Sequence, residues 1–448
     1  MRAFLPHRTS AGMQIATERF ASEDPYARIA AAVLRILFGH AYARNFSIAF
    51  WDGTNVPACG HSRFTLRVNE PGALRAAFTP PVELNAGRAF AAGLLDVEGD
   101  IEAAVDELLL IVQHPSPAKL VRLALLLRRL PRAHLPQLRE ANLRGKRHSL
   151  ARDRAAIGFH YDQPVEFYRS FLDPNLVYSC AYFDDGVEDL EGAQLAKIDH
   201  TLRKLRLAPG ERLLDIGCGW GALVVRAAKE YGAQVLGVTL SERQAREGAR
   251  AIAAENLGHR ARIELRDYRQ LPKTTFDKVV SIGMFEHVGR NKLPEYFATA
   301  YRLLEPGGLF LNHGIAIHQR DTRDGKTTGF MGRFIFPDGE LVNAAESLQI
   351  AEEAGFDVRD VENLREHYAR TLRAWVQNLE RNRSQAVAAA GDQSYRAWRL
   401  YMGASAQGFR TGRIGVYQAL LAKPREDGSV SLPATRRDLY TAGTSHAG

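Results

Sequence analysis

Two stretches put a carboxylate and imidazoles at the ends of short apolar runs. SIGMFEHVG (281–289) carries Glu286 and His287, and GLFLNHGIAI (308–317) carries His313. A Glu and a His on one rim can accept or donate a proton, or hold a small anion between them. A third stretch, ERLLDIGCGWG (211–221), runs from Leu213, Leu214 and Ile216 into Asp215, Gly217, Gly219 and Gly221. That pattern is a buried strand entering a glycine turn, followed by a helix over Ala222 to Tyr231. Without Cβ atoms, such a turn takes unusual φ/ψ values and lets a nucleotide-like ligand lie against the backbone. Taken singly, a Glu or a His near a strand end is structural about as often as it is functional. Several at one rim are harder to dismiss.

The elements that must position these groups follow from periodicity. From Gly210 onward, QVLGVTL (234–240), RIELRD (262–267), DKVVSIGM (277–284) and GLFLNHGIAI read as strands, with helices beginning near Ser241, Asn291 and Asn343. Such alternation implies an α/β fold with a parallel, doubly wound sheet. Ligands of these sheets sit beyond the carboxyl ends of the strands. Thr239, Leu240 and Gln244 follow the second strand, Asp267 and Tyr268 the third, MFEHVG the fourth and NHGI the fifth, so Glu286, His287 and His313 face the glycine turn across one cleft. FDVRDVENL and IGVYQALLA read as two edge strands forming an antiparallel pair. The long helical stretch between them, about residues 365 to 411 with Trp375 and Trp398, would cover the mouth of the sheet.

Upstream, residues 1–24 read as a loose tail and 25–118 as a small α+β domain associated with lipid. That domain holds an amphipathic helix (Ile29, Val33, Ile36, Leu37), strands in FSIAFWDG and RFTLRV, and a helix opened by Pro71. LLDVEGDIEAAVDELLLIV reads as a turn and then a helix begun near Asp100. Residues 119–150 are rich in Leu and Arg and nearly free of acid. They form a helical linker that either lies on basic-headgroup contacts at an interface or packs its leucines between domains with its arginines solvated. The catalytic domain spans 151–448.

Composition bounds the classes. The chain has 448 residues, 46% hydrophobic and 25% charged, which fits a soluble globular protein of two or three domains. No apolar run reaches the ~18 residues of a membrane span, and MRAFLPHRTSAGMQ lacks the apolar core of a signal peptide. Cys59, Cys180 and Cys218 show neither paired nor metal-ligand spacing, which suits a reducing cytoplasm and indicates no metal site. A net charge of +8 favours an anionic partner, nucleic acid or lipid, without choosing between them.

The G-x-G-x-G spacing with Asp215 two residues ahead resembles motif I of the S-adenosylmethionine (SAM) methyltransferases more than the nicotinamide fingerprint. With YSCAYF (178–183), GVTLSERQ (237–244), SIGMFEHVG, FPDGEL (336–341) and YARTLRAW (368–375) in order, the chain from about Tyr161 onward resembles the cyclopropane-fatty-acyl-phospholipid synthase family, including its mycolic acid branch. LRVNEPGALR extends a weaker likeness into the N-terminal domain. The resemblance implies a class I SAM-methyltransferase sheet with a helical insertion. It implies transfer of the SAM methyl to a cis double bond of a phospholipid acyl chain, giving a cyclopropane, with bound bicarbonate as base. Matched motif by motif, the bicarbonate site falls on Cys180, Glu286, His313, Ile315 and Tyr368. SAM falls on Tyr178 and Ser179 as carboxylate contacts, with Asp215, Gly217, Gly219, Gly221, Thr239, Leu240, Gln244, Asp267 and Tyr268.

The cysteine usage, the basic charge and the 119–150 segment point to a cytoplasmic protein, peripheral at an anionic inner membrane surface, and the resemblance leaves a homodimer open. One departure is plain: NHGI stands where many relatives have H-T-I-G. Relatives of similar sequence methylate the same double bonds without ring closure, so a methyl- or methylene-branched product stays an alternative. A non-catalytic SAM- and lipid-binding paralogue is another. A nucleic-acid methyltransferase is set aside, because the fourth strand ends in SIGMFEH rather than an Asn/Asp-Pro-Pro-aromatic motif. Bland roles stay open for Cys180 as a buried hydrophobe, Cys218 as filler, Trp220 as packing and His287 as orienter of the Glu286 loop. They stay open too for Asp215 as holder of the turn, Asp267 as a solvated loop acid and Tyr268 as a packing ring.

Overall fold

The apolar runs at 213–216, 235–239, 278–281 and 307–314 are buried along nearly their whole length. Strands covered by helices on both faces read this way, as continuous apolar runs rather than alternation. The computed structural model describes residues 22–38, 45–112, 116–161, 163–318 and 327–440. In chain order its strands are β1 (Phe46–Phe50), β2 (Asn55–Val56), β3 (Phe64–Val68), β4 (Leu95–Gly99), β5 (Arg212–Ile216) and β6 (Gln234–Thr239). β7 (Ala261–Leu265), β8 (Phe276–Ile282), β9 (Leu304–Ile317), β10 (Asp357–Asn363) and β11 (Ile414–Ala422) follow.

The larger sheet has the order β10-β11-β9-β8-β5-β6-β7. The five strands from β9 to β7 are parallel, and β11 runs antiparallel to both its neighbours. β10 and β11 form the expected antiparallel pair, but only β10 is an edge. β11 is buried over most of its length, as an interior strand must be, whereas β10 carries Asp357, Arg359, Asp360 and Glu362 and is half-exposed. Helices Arg365–Arg381 and Arg383–Arg410 fill the stretch between them, the second broken at Gly391, where φ is +82°.

The smaller sheet has the order β2-β1-β3-β4. β4 replaces the turn expected in LLDVEG. Its Leu95 and Val97 point into the core, and it pairs antiparallel with β3 from Val68–Leu95 to Phe64–Gly99. Five residues of alternation ending in Gly are too short a signal to separate a strand from a turn. Most of the expected N-terminal tail lies outside the described residues. Its last residue, Asp24, accepts hydrogen bonds from the Tyr26 N–H (2.7 Å) and from Trp51 Nε1 (2.9 Å).

The expected helical linker is helical only over Pro117–Arg129, where Ser116 caps it by accepting from the Lys119 N–H. Residues 131–144 have no regular secondary structure. Pro131 and Pro136 explain this, since each lacks an N–H and biases its predecessor away from helix. The leucines divide: Leu127 and Leu130 are buried, while Leu120, Val121 and Leu125 face solvent.

The smaller sheet is not a separate globule. One core runs from Val33, Phe46 and Val68 into Trp375, Trp398 and Phe409 of the inserted helices. Polar ties cross the same boundary. Arg399 donates to the carbonyls of Val97 (2.8 Å) and Gly99 (3.0 Å) and pairs with Glu380 (2.6 Å). Glu102 takes a two-pronged contact from Arg373, at 2.7 and 2.9 Å. The helical cover over the larger sheet is therefore braced from outside by the N-terminal elements.

Candidate active site

The turn after β5 places its three glycines differently. A Cβ on Gly219 would meet no protein atom within 4 Å and would stand in the cleft, so this position stays open to a ligand. A Cβ on Gly221, where φ is +90°, would come within 2.8 Å of Ile263 Cδ1 and 3.3 Å of Gly248 Cα. Gly221, between Trp220 and Ala222 of the cleft wall, lets the turn and the start of the helix Ala222–Glu230 pack closely. Gly217 lines the cleft.

Around that turn, the cleft beyond β5, β6, β7 and β8 is lined by Tyr178, Ser179, Asp215, Thr239, Leu240, Gln244, Asp267 and Tyr268. Thr239 Oγ1 donates to Gln244 Oε1 at 2.7 Å, which fixes that amide and turns its NH₂ away from Thr239. Asp267 lines the cleft, yet both its oxygens are held by Arg269, at 2.9 and 2.7 Å, and it caps the turn that follows. It is a tied-down acid rather than a solvated one. Tyr268 packs edge-on against Tyr296 with ring centroids 5.7 Å apart.

Cys180, Glu286, His313, Ile315 and Tyr368 come from a loop, a short turn, a strand and a helix distant in sequence, and they line one chamber. That chamber shares Tyr161, Tyr178, Ser179, Gly283 and His287 with the cleft, so the two adjoin. Its remaining wall is largely apolar: Met331, Phe336, Leu372, Phe409, Ile414 and Val416.

Within it the polar groups are unevenly satisfied. Glu286 Oε1 accepts from the Ile315 backbone N–H at 2.6 Å, while its Oε2 is buried with no partner. Burial pushes the Glu286 carboxyl up to about 7, against the pull of the backbone hydrogen bonds. Gly314 permits this arrangement, because a Cβ there would lie 2.9 Å from the Phe285 ring. The departure in NHGI thus leaves the Ile315 N–H on Glu286 and makes room for Phe285. The Tyr368 hydroxyl and the Cys180 backbone N–H have no acceptor among the described residues. Cys180 Sγ turns to the carbonyls of Ala181 (3.2 Å) and Leu364 (3.7 Å), and burial pushes its thiol far up, so it is no thiolate nucleophile.

A hydrogen-bond chain sets the tautomer of His313. The Thr201 hydroxyl donates to the Lys197 carbonyl at 2.9 Å, so its oxygen must accept from Gln418 Nε2, 3.3 Å away. The Gln418 amide group therefore also presents N–H to His313 Nδ1, at 3.2 Å. Nδ1 is then the bare nitrogen and Nε2 carries the proton. Nε2 is buried without a partner, and burial beside Lys197 and Lys204 lowers the ring to about 3, so it stays neutral. His313 is a hydrogen-bond donor into the chamber. His287 lines both spaces and is likewise neutral, lowered to about 4 by burial.

A carboxylate acceptor, an imidazole donor, a phenol and a free backbone N–H around one space suit a small oxyanion that carries one proton of its own. The cleft beside it suits SAM. Sequence reasoning missed Lys197, Tyr161 and Gln418. For Lys197 a signal existed: with Ala193, Thr201 and Lys204 it recurs at helical spacing on the buried face of Leu190–Lys204.

Comparison with known proteins gives the following. The family model described as mycolic acid cyclopropane synthetase matches residues 148–419. A Pseudomonas putida protein named "Probable fatty acid methyltransferase" is 39% identical over 402 residues, 88% of this chain and 95% of its own. Among solved structures, the cyclopropane synthase MmaA2 from Mycobacterium tuberculosis is 36% identical with a TM-score of 0.58, covering 60% of this chain and 98% of its own. The mycolic acid cyclopropane synthase CmaA1 complexed with SAH and CTAB is 37% identical with a TM-score of 0.57, over the same shares.

The raised Glu286 carboxyl makes a pH-dependent prediction. A group whose folded pKa lies above its unfolded value of 4.5 lends stability below that value and loses it as pH rises toward about 7. Glu286→Gln does not titrate, so relative to wild type it should gain about 3 kcal/mol between pH 4.5 and 8. Urea unfolding of both proteins at pH 5 and pH 8 measures this. A difference that does not change with pH would contradict the buried, half-partnered carboxyl.

Proposed function

The chain belongs to the mycolic acid cyclopropane synthetase family and is a SAM-dependent methyltransferase with the class I α/β fold; from that premise we propose that it converts a cis double bond of a phospholipid acyl chain into a cyclopropane. The observation that carries this reading is the pair of buried, partnerless atoms, Glu286 Oε2 and His313 Nε2, in an apolar chamber that adjoins the cofactor cleft. Bound SAM supplies an electrophilic methyl group, and bound bicarbonate supplies an oxygen that can take a proton. An alkene has no proton to shed before alkylation. A base is needed only afterwards, when the added carbon gives up a proton and that C–H electron pair closes the ring.

The residues of the chain divide that work. Glu286, steadied by the Ile315 N–H, accepts the anion's own proton. The His313 Nε2–H, the Tyr368 hydroxyl and the Cys180 N–H donate to its oxygens. Met331, Phe336, Leu372 and Phe409 take the acyl chain and keep water from a carbocation that water would trap. A methyl- or methylene-branched product is the second reading. The name of the Pseudomonas putida relative, which matches nearly the whole chain, favours it.

Gas chromatography with mass spectrometry of lipids from an expressing host distinguishes the two. Cyclopropane acids are expected with wild type and at least about 100-fold less with Glu286→Gln or His313→Ala, while both variants keep SAH affinity within a few-fold. Branched or methylene products would overturn ring closure. The substrate also sets the protein, in this reading, on the cytoplasmic face of an anionic bilayer. Supporting this, the helix Pro117–Arg129 exposes Leu120 (49%), Val121 (61%) and Leu125 (57%) beside Arg122, Arg128 and Arg129. Among the described residues no helix is long and apolar enough to cross a membrane. Flotation with anionic vesicles should carry the protein up, and Leu120→Ser with Leu125→Ser should release it. Equal flotation with zwitterionic vesicles would contradict this placement.

A further inference from the structure

The loop that follows Tyr178 holds three of its backbone donors and leaves one over. Ala181 donates to Thr371 Oγ1, Tyr182 to the Ala193 carbonyl and Phe183 to His367 Nδ1, each at 3.0 Å. The Cys180 N–H has no acceptor among the described residues, although Cys180 is fully buried and lines the chamber. Buried N–H groups are nearly always paired, so one kept open beside a chamber is a place for an acceptor.

The two side chains that grip this loop stand four residues apart on one face of the helix Arg365–Arg381. Chemistry fixes their roles. A backbone N–H can only donate, so His367 Nδ1 is the bare nitrogen of a neutral ring, and burial lowers its pKa accordingly. Thr371 gives its own proton to the His367 carbonyl (2.7 Å), which leaves its oxygen to accept. The imidazole lies flat on Tyr182, with ring centroids 4.7 Å apart and 12° between the planes, and Tyr182 stacks in turn on His200. Arg370 sits over the Phe183 ring at 4.0 Å, a third tie from the same helix. One residue further along from His367 and Thr371, Tyr368 and Leu372 line the chamber. His367 and Thr371 do not line it, so they meet neither anion nor acyl chain.

We propose that His367 and Thr371 are positioning residues of the reaction: as paired acceptors they fix residues 180–183 so that the Cys180 N–H stays free for the anion, in register with the Tyr368 hydroxyl. This rests on the anion site proposed above and not on whether the ring closes. It gives the site two independent supports. The sheet sets Glu286 and His313, and this one helix sets Tyr368 together with the loop that carries Cys180.

Turnover of the full chain with SAM and vesicles of a monounsaturated phosphatidylglycerol tests this as bicarbonate is varied, with all alkylated acyl products counted together. His367→Leu removes one acceptor, whereas His367→Asn puts an amide oxygen where Nδ1 stood. His367→Leu should lower the limiting rate by about tenfold and raise the bicarbonate needed for half that rate by a similar factor, with the KM for SAM unmoved. Adding Thr371→Val should bring the loss to about 100-fold. His367→Asn should recover most of the wild-type rate. A wild-type rate in His367→Leu overturns the proposal, and so does a loss that His367→Asn fails to recover. A KM for SAM that rises with the loss makes the ring a support of the fold, which overturns it too. If wild type ignores bicarbonate, the anion reading fails, while recovery by His367→Asn still decides whether the grip on the loop sets the rate.

Discussion

One hydrogen bond organises the chamber: the Ile315 N–H on Glu286, at 2.6 Å, with the other carboxylate oxygen left bare. It exists because β9 outruns β8. The last residue pair between them is Ile282 with His313, so Gly314 and Ile315 extend past the end of β8 and meet the turn Phe285–His287. The absence of a side chain at Gly314 lets the Phe285 ring close over that junction. A carboxylate fixed at one oxygen cannot rotate away from the space its other oxygen faces. Burial then makes that oxygen avid for a proton.

The imidazole opposite is set by the same sheet. β11 enters antiparallel between β9 and β10, and its register puts Gln418 directly across from His313. Gln418 takes its orientation from Thr201, which takes its own from the Lys197 carbonyl on the neighbouring helix. Lys197 in turn reaches the cofactor cleft. The donor in one space and the cation in the other thus hang on one helix, Leu190–Lys204, and the two spaces share walls rather than communicating at a distance. The inserted helices close the far side with Tyr368, Leu372, Tyr401 and Phe409, and the N-terminal elements brace them through Arg399 and Glu102.

What was legible in the sequence follows from where each signal sits. Glu286 and His313 could be found because apolar strands end beside them, and the sheet order then brings strand ends together. Cys180 and Tyr368 lie on a loop and a helix with no periodic tie to the sheet, so only their motifs pointed to them. Gln418 was illegible for the opposite reason: a polar residue inside a strand is usually solvated, and only the three-dimensional packing shows that it faces inward. Lys197 had one faint signal, the helical spacing it shares with Ala193, Thr201 and Lys204. β4 was too short to tell from a turn, and the basic leucine-rich stretch looked helical throughout although two prolines stop it. Gly221 shares the spacing of its neighbours, and only the packing shows that it stands against Ile263 and Gly248.

The central claim is that Glu286 and His313 together hold one small protonated anion beside the cofactor. The most direct measurement is the turnover rate in buffer stripped of carbon dioxide, as bicarbonate is added back. The account predicts a rate that is low without bicarbonate and rises to saturation with it, and no such response in His313→Ala. A wild-type rate that is full in stripped buffer and indifferent to added bicarbonate would contradict it.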